Sequence, residues 1–96
     1  MAIVLVHQWP DVTRESYNQA VRSMTGKDRV ESPSDWPVEG LLVHAAGESP
    51  NGFRVVDVWE SEEAARQFGE QLAPHLEKAG ITAQPEVYET YVFVSA

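Results

Sequence analysis

Phe53-Arg-Val-Val-Asp-Val-Trp59-Glu-Ser61-Glu-Glu-Ala64 holds a strand, a helix cap and a first helical turn in direct succession. The valines and aromatics of residues 53–59 favour an extended backbone. Ser61 is placed to cap a helix, and Glu62 and Glu63 suit its positive first turn. Upstream, residues 40–46 make a second apolar strand. Between the two, Ser49-Pro50-Asn51-Gly52 offers a proline for the first turn position and residues tolerant of positive φ after it, so the pair is a hairpin. Beyond Ser61, the residues Ala64, Phe68, Leu72 and Leu76 recur at helical spacing. Pro74 predicts a kink or a restart in that helix, and Gly80 its end.

The N-terminal half repeats the theme. Residues 2–9 are β-branched or aliphatic and are closed by Pro10, which predicts a strand. Residues 11–24 predict a helix capped by Thr13, stapled by Val12 against Tyr17, with Tyr17, Ala20, Val21 and Met24 as its buried stripe. Gly26 follows as a natural terminator. Residues 27–39 hold Pro33 and Pro37 and no clear period, so they form a long loop whose one large apolar residue, Trp36, caps the core or contacts a ligand. Residues 87–94 predict the last strand. The order is strand, helix, strand, strand, helix, strand. It implies a single α+β domain over residues 1–96 with a four-stranded antiparallel sheet and both helices on one face.

Composition narrows the function. Fifteen acids stand against seven Lys and Arg, giving a formal charge of −8. That balance opposes nucleic-acid binding, which needs a concentrated basic surface, and docking on an anionic membrane. No apolar run approaches the roughly 20 residues of a membrane span. The first ten residues lack a basic leader, so a soluble cytoplasmic protein is expected. Cysteine is absent, so no disulfide or thiolate metal site supports the fold. A chain of this length buries only roughly 60 to 65% of its unfolded surface, which makes a partner subunit valuable.

The strands are apolar on both faces, yet the helices cover only one. With Val4, Val6, Leu41, Val43, Val56 and Val58 placed toward the helices, the open face carries Leu5, His7, Trp9, Leu42, His44, Val55, Asp57 and Trp59. An apolar surface of that size marks an interface. A homodimer formed sheet to sheet through the open face would bury it and enclose a barrel.

The whole chain resembles the dimeric α/β-barrel proteins of the ferredoxin-like fold, in particular the antibiotic-biosynthesis monooxygenase-like group. The likeness rests on Gly40-Leu-Leu-Val-His44 and on the strand that ends in Trp59, followed by Ser61 and the acidic helix start. It implies a βαββαβ domain and a sheet-to-sheet dimer. Members include cofactor-free oxygenases, polyketide cyclases, haem degraders and proteins with no known reaction. Haem-degrading relatives carry a His on the second helix beyond the strand-ending Trp. Position 69 here is Gly, and His75 is expected at the frayed end of that helix, which argues against haem.

His7, His44 and Asp57 are the candidate catalytic residues. Polar groups on an apolar face cost roughly 1 to 3 kcal/mol each unless they pair with one another, water or a ligand. A His beside a carboxylate is a reasonable general base, with Asp57 as orienter. In a cofactor-free oxygenase or cyclase it would deprotonate a phenol or an acidic carbon beside a carbonyl. Trp9, Leu42, Val55, Trp59, Tyr91, Phe93 and Trp36 are the candidate walls for a small apolar or aromatic substrate. No short ligand spacing supports a metal, no nucleophile elbow or phosphate loop occurs, and no cofactor is expected. The competing expectation is a non-enzymatic dimeric ligand-binding or interaction module in which His44 and Asp57 only satisfy each other.

Overall fold

The computed structural model describes residues 1–81 and 84–95. Its elements are β1 (Ile3–Trp9), α1 (Arg14–Thr25), a short 3-10 turn (Pro33–Asp35), β2 (Leu41–Ser49), β3 (Gly52–Trp59), α2 (Glu62–Lys78) and β4 (Glu86–Glu89). The sheet order is β2-β3-β1-β4 with every pairing antiparallel. This is the ferredoxin-like βαββαβ arrangement.

Local chemistry fixes the element ends. Thr13 accepts from the Ser16 N–H and Ser61 from the Ala64 N–H, both at 3.1 Å. Gly26 closes α1 at φ 76°, donating to the Arg22 carbonyl. Gly52 sits at φ 116°, and a Cβ there would lie 2.5 Å from Pro10 Cα and 2.6 Å from the Trp9 carbonyl oxygen. Only glycine therefore lets the hairpin tip pass over the end of β1. The hairpin is longer than its apolar pattern suggests. Backbone pairing continues through Gly47, Glu48 and Ser49 to a two-residue turn at Pro50 and Asn51.

Two expectations about chain ends are corrected. The helix α2 runs through Pro74 without a restart. The proline removes the donor to the Glu70 carbonyl, but that turn is exposed, so water can serve the freed group. The helix ends with Gly80 donating to Glu77 and Ile81 to Leu76, a paired-bond cap with Ile81 packed near Leu76. The last strand is Glu86–Glu89 rather than residues 87–94. In the β4 register Ile3 faces Glu89, and Thr90 makes the final bond to the Ala2 carbonyl. The pairing with β1 stops there. Tyr91 is fully exposed, Val92 and Val94 are largely so, and Phe93 lies on the same outer segment.

The faces of β1 and β3 are the reverse of the expected ones, while on β2 Leu41 and Leu42 lie as expected and Val43 and His44 exchange faces. Ile3, Leu5, Trp9, Val55 and Trp59 pack toward the helices against Val21, Phe68, Leu72 and Trp36, and His7 and Asp57 share that side. Val4, Val6 and Val58, joined by Val43 and Val56, form a separate layer on the open side. The reason is volume. Two helices stand over the sheet on two short stripes, and only indoles, Leu, Ile and Phe fill that depth, whereas valines make a low, flat surface. A register shift between Leu41 and Val43 completes the pattern. It lets Leu41 face the helices beside Trp59 and turns Leu42 out, at 42% exposure, before His44 returns to the helix side. Among the described residues no helix is long and apolar enough to cross a membrane.

Candidate functional site

Asp57 occupies the middle of β3, opposite His44 on β2 and Leu5 on β1. His7 pairs with Val55, so it is the diagonal neighbour of Asp57 across the β1–β3 ladder. The site therefore lies between sheet and helices within one chain. It is not inside a barrel closed by a second sheet, because the face reversal carries all three polar residues to the covered side.

The carboxylate is sealed, at 1% exposure. Its Oδ1 lies 2.5 Å from His44 Nδ1, and His44 Nε2 lies 2.6 Å from the Tyr17 hydroxyl. With Asp57 accepting, Nδ1 carries the proton and Nε2 accepts from Tyr17. Trp36 packs edge-on to the His44 ring at 4.9 Å, and the same indole meets Phe68. The loop that delivers Trp36 is held by Asp35, which accepts from the Glu31 and Ser32 N–H groups and pairs with Lys27. These contacts keep the Asp35 carboxyl at about 2, with the Lys27 hydrogen bond as the largest cause.

His7 differs from His44. It is 3% exposed, and its Nδ1 finds no hydrogen-bond partner among the described residues. Its ring lies 4.8 Å from that of Trp9. Burial lowers its pKa, partly opposed by the Asp57 charge and reinforced by His44. It is thus a neutral imidazole at pH 7. Burial also raises Tyr17 to about 12, and the Asp57 charge adds to that effect. Tyr17 therefore remains a hydroxyl donor.

Three spaces bear on this cluster, and a fourth of about 670 Å³, between α2 and Ile81, shares His7, Gly69 and Leu72 with the second of them. A cavity of about 30 Å³ lies beneath the helices, touched by His7, Asp57, Tyr17, Trp9 and Trp36. An apolar groove of about 480 Å³ runs between α2 and the β1–β4 edge, with Leu5, His7, Phe68, Leu72 and Val87 among its lining. On the opposite side, a cleft of about 460 Å³ between α1 and β2 exposes Tyr17 and His44 beneath Arg14, Asn18 and Arg29. The buried carboxylate thus has one imidazole toward each flank of the domain.

Of the candidate residues, His7, His44, Asp57, Trp9, Trp36 and Val55 come together. Trp59 is fully buried against Phe68 and lines none of these three spaces. Leu42, Tyr91 and Phe93 lie outside the cluster. Tyr17 is the member of this cluster that the sequence did not single out, since its place in the α1 stripe predicts only burial. Its signal was chemical: a tyrosine on a buried stripe must find a partner for its hydroxyl. His75 is likewise within α2, where its Nδ1 lies 2.7 Å from Ser23 Oγ, and Gly69 offers no side chain to the groove. No group of three or more His, Cys, Asp or Glu side chains is arranged to hold a metal among the described residues.

A search of solved structures finds this fold in a crystal structure of a protein from Shewanella loihica PV-4 provisionally assigned as a monooxygenase. The TM-score is 0.60 over 96% of each chain, at 16% sequence identity. A likeness at that identity shows the fold. No protein-family model matches the chain, and no curated protein matches it.

Proposed function

We propose that the chain binds a flat, weakly acidic aromatic or polyketide-like molecule in the groove between α2 and the β1–β4 edge, and that His7 abstracts a proton from it. The observation that carries this reading is the buried, unpartnered Nδ1 of an imidazole lining an apolar groove. An orphaned polar atom in such a place is costly unless a ligand or water uses the group. Both nitrogens of His44 are occupied by Tyr17 and Asp57, so His44 is the positioning partner and His7 the base. The Asp57 charge favours the imidazolium that forms.

In an oxygenase, the resulting carbanion adds to O2 at a methylene flanked by aryl rings. The peroxide is protonated and loses water, so that CH2 and O2 become C=O and H2O. A cyclase would use the same proton abstraction with an internal carbonyl as electrophile. Neither route needs a bound metal or organic cofactor.

We propose further that the working unit is a homodimer through the valine face. Val4, Val6 and Val58, already buried in the single chain, form with Val43 and Val56 an apolar layer on the face away from the helices, where Leu42 and Tyr88 stand 42% and 49% exposed. Light scattering should return twice the 10.7 kDa chain mass, and Val6→Glu should return the monomer. A monomer in the unmodified protein refutes it.

The test of function uses anthrone as the probe, with O2 uptake and tryptophan quenching as readouts. His7→Gln should lower turnover by roughly 10² to 10⁴-fold while leaving quenching within about threefold. Quenching without O2 uptake or cyclisation in either protein favours the second reading, a binding module. That reading draws on the fully satisfied Tyr17–His44–Asp57 chain, which needs no chemistry to explain it.

A further inference from the structure

Proton abstraction at His7 leaves the cavity of about 30 Å³ beneath the helices unused. We propose that this cavity holds the dioxygen that the carbanion in the groove consumes. This rests on the groove being an oxygenase site with His7 as its base, and it gives the second substrate a place of its own.

Size and wall decide the occupant. A void needs roughly 10 to 15 Å³ to admit one water-sized sphere, so a space of about 30 Å³ admits two in contact, the dimensions of a diatomic molecule. Its wall is almost wholly apolar. Ala20 and Val21 of α1, Val55 of β3 and Leu72 of α2 contribute hydrocarbon, while the polar ends of Asp57 and Tyr17 engage His44. Water needs about two to four polar partners and is held poorly by such a wall, whereas a small apolar molecule gains by leaving water for it. Among the reactants of the proposed oxygenation, O2 is the small apolar one.

Position gives the cavity its use. His7, Phe68 and Leu72 line both the cavity and the groove, so one layer of side chains separates the two spaces. A flat ligand seated in the groove covers the groove's apolar wall. O2 held behind His7 then reaches the carbanion without crossing bulk water, and holding the two reactants side by side removes their encounter step. A two-atom apolar ligand binds no more tightly than about the millimolar range, so the cavity raises the local O2 level and turnover stays first order in O2. The balance of the reaction closes on these parts alone. The electron pair left on carbon forms the C–O bond, and the proton that His7 took returns to the peroxide. One oxygen atom then stays as C=O and the other leaves in water.

The first measurement needs no substrate. Methyl NMR of the whole chain under oxygen, against argon, reads the paramagnetic relaxation that O2 imposes. The Ala20 and Val55 methyls should relax several times more than those of Val4, Val6 and Val58, which are comparably buried but lie in the layer away from the cavity. Equal relaxation in the two sets overturns the proposal, as does cross-relaxation of the Ala20 methyl with a resident water. The second measurement follows anthrone oxidation as O2 is varied. Ala20→Val fills the cavity from α1 and Val55→Ile from β3, and neither residue lines the groove. Each should lower the second-order rate constant for O2 by roughly fivefold or more, with anthrone quenching under argon unchanged. An unchanged O2 dependence in either folded variant overturns the proposal while His7 remains the base. If His7→Gln itself leaves turnover intact, the reading of His7 fails, and methyl relaxation still decides whether O2 occupies the cavity.

Discussion

Removing one member of the buried network should cost more than removing all of it. Asp57→Ala deletes a carboxylate at 1% exposure and strands the His44 Nδ1–H that it held at 2.5 Å. Leaving a buried N–H without its acceptor costs roughly 1 to 3 kcal/mol, and the atoms removed with the carboxylate leave a small void. His44 keeps 14% side-chain exposure, so water recovers part of that and a total of about 2 kcal/mol applies. For a chain of this size 1 kcal/mol moves the melting temperature by roughly 4 to 8 °C, so Asp57→Ala should lower it by roughly 8 to 16 °C. The triple variant Tyr17→Phe, His44→Leu, Asp57→Leu removes every polar atom of the chain with similar volumes. Such replacements are often neutral or stabilising by about 1 to 4 kcal/mol. Thermal and urea unfolding of the two variants beside the unmodified protein gives the comparison. A triple variant less stable than Asp57→Ala would refute the reasoning and make the network structural. One as stable as the unmodified protein leaves function as the reason for keeping three polar groups in the core.

Further perturbations test the site from other directions. Tyr17 should titrate at about 12, seen as the part of the 295 nm absorbance change that Tyr17→Phe removes. Because its folded pKa lies above the ordinary value, the unfolded chain loses its proton first. Stability should hold below about pH 10 and fall as pH rises toward 12, a loss that Tyr17→Phe should reduce. His7 has a lowered pKa, so between its ordinary value near 6.5 and its folded value the unfolded chain binds the extra proton. Acidification through that window should therefore destabilise the protein, and His7→Leu should flatten the slope; an unchanged slope means His7 is not buried neutral. Gly52→Ala should cost at least about 3 kcal/mol in urea unfolding. It combines φ 116° with a Cβ 2.5 Å from the Pro10 backbone, and a cost under about 1 kcal/mol would contradict that turn geometry.

The fold was legible because its signals are local. Thr13, Ser61, Gly26 and the Pro50–Asn51 turn each announce themselves within a few residues, and the helical stripes follow a period that the chain itself displays. The sheet faces were not legible in the same way. Period-two alternation says which residues share a face, and Leu5, His7 and Trp9 do share one. It is silent on which face the helices choose when both are apolar. The decision belongs to packing volume, and Trp9 and Trp59 fill the helix side where Val4 and Val58 would leave gaps. The bulge at Leu42 was equally hidden, since nothing in Leu41-Leu42-Val43 distinguishes one residue as the extra one. His7, His44 and Asp57 were nevertheless grouped correctly, because a reversal of faces moves all three together.

That grouping explains why the reversal alters the chemistry more than the fold. On an open face, the three polar residues would have met a second copy and been satisfied by symmetry. Under the helices they meet Tyr17 and Trp36, which arrive from α1 and from the loop anchored by Asp35. One imidazole is then fully bonded and the other is left with a free nitrogen beside a single carboxylate. A structural ion pair needs one histidine. A second one, buried with its Nδ1 unpartnered and lining an apolar groove, adds cost without adding stability, and it is this cost that the proposed role of His7 as a base would account for.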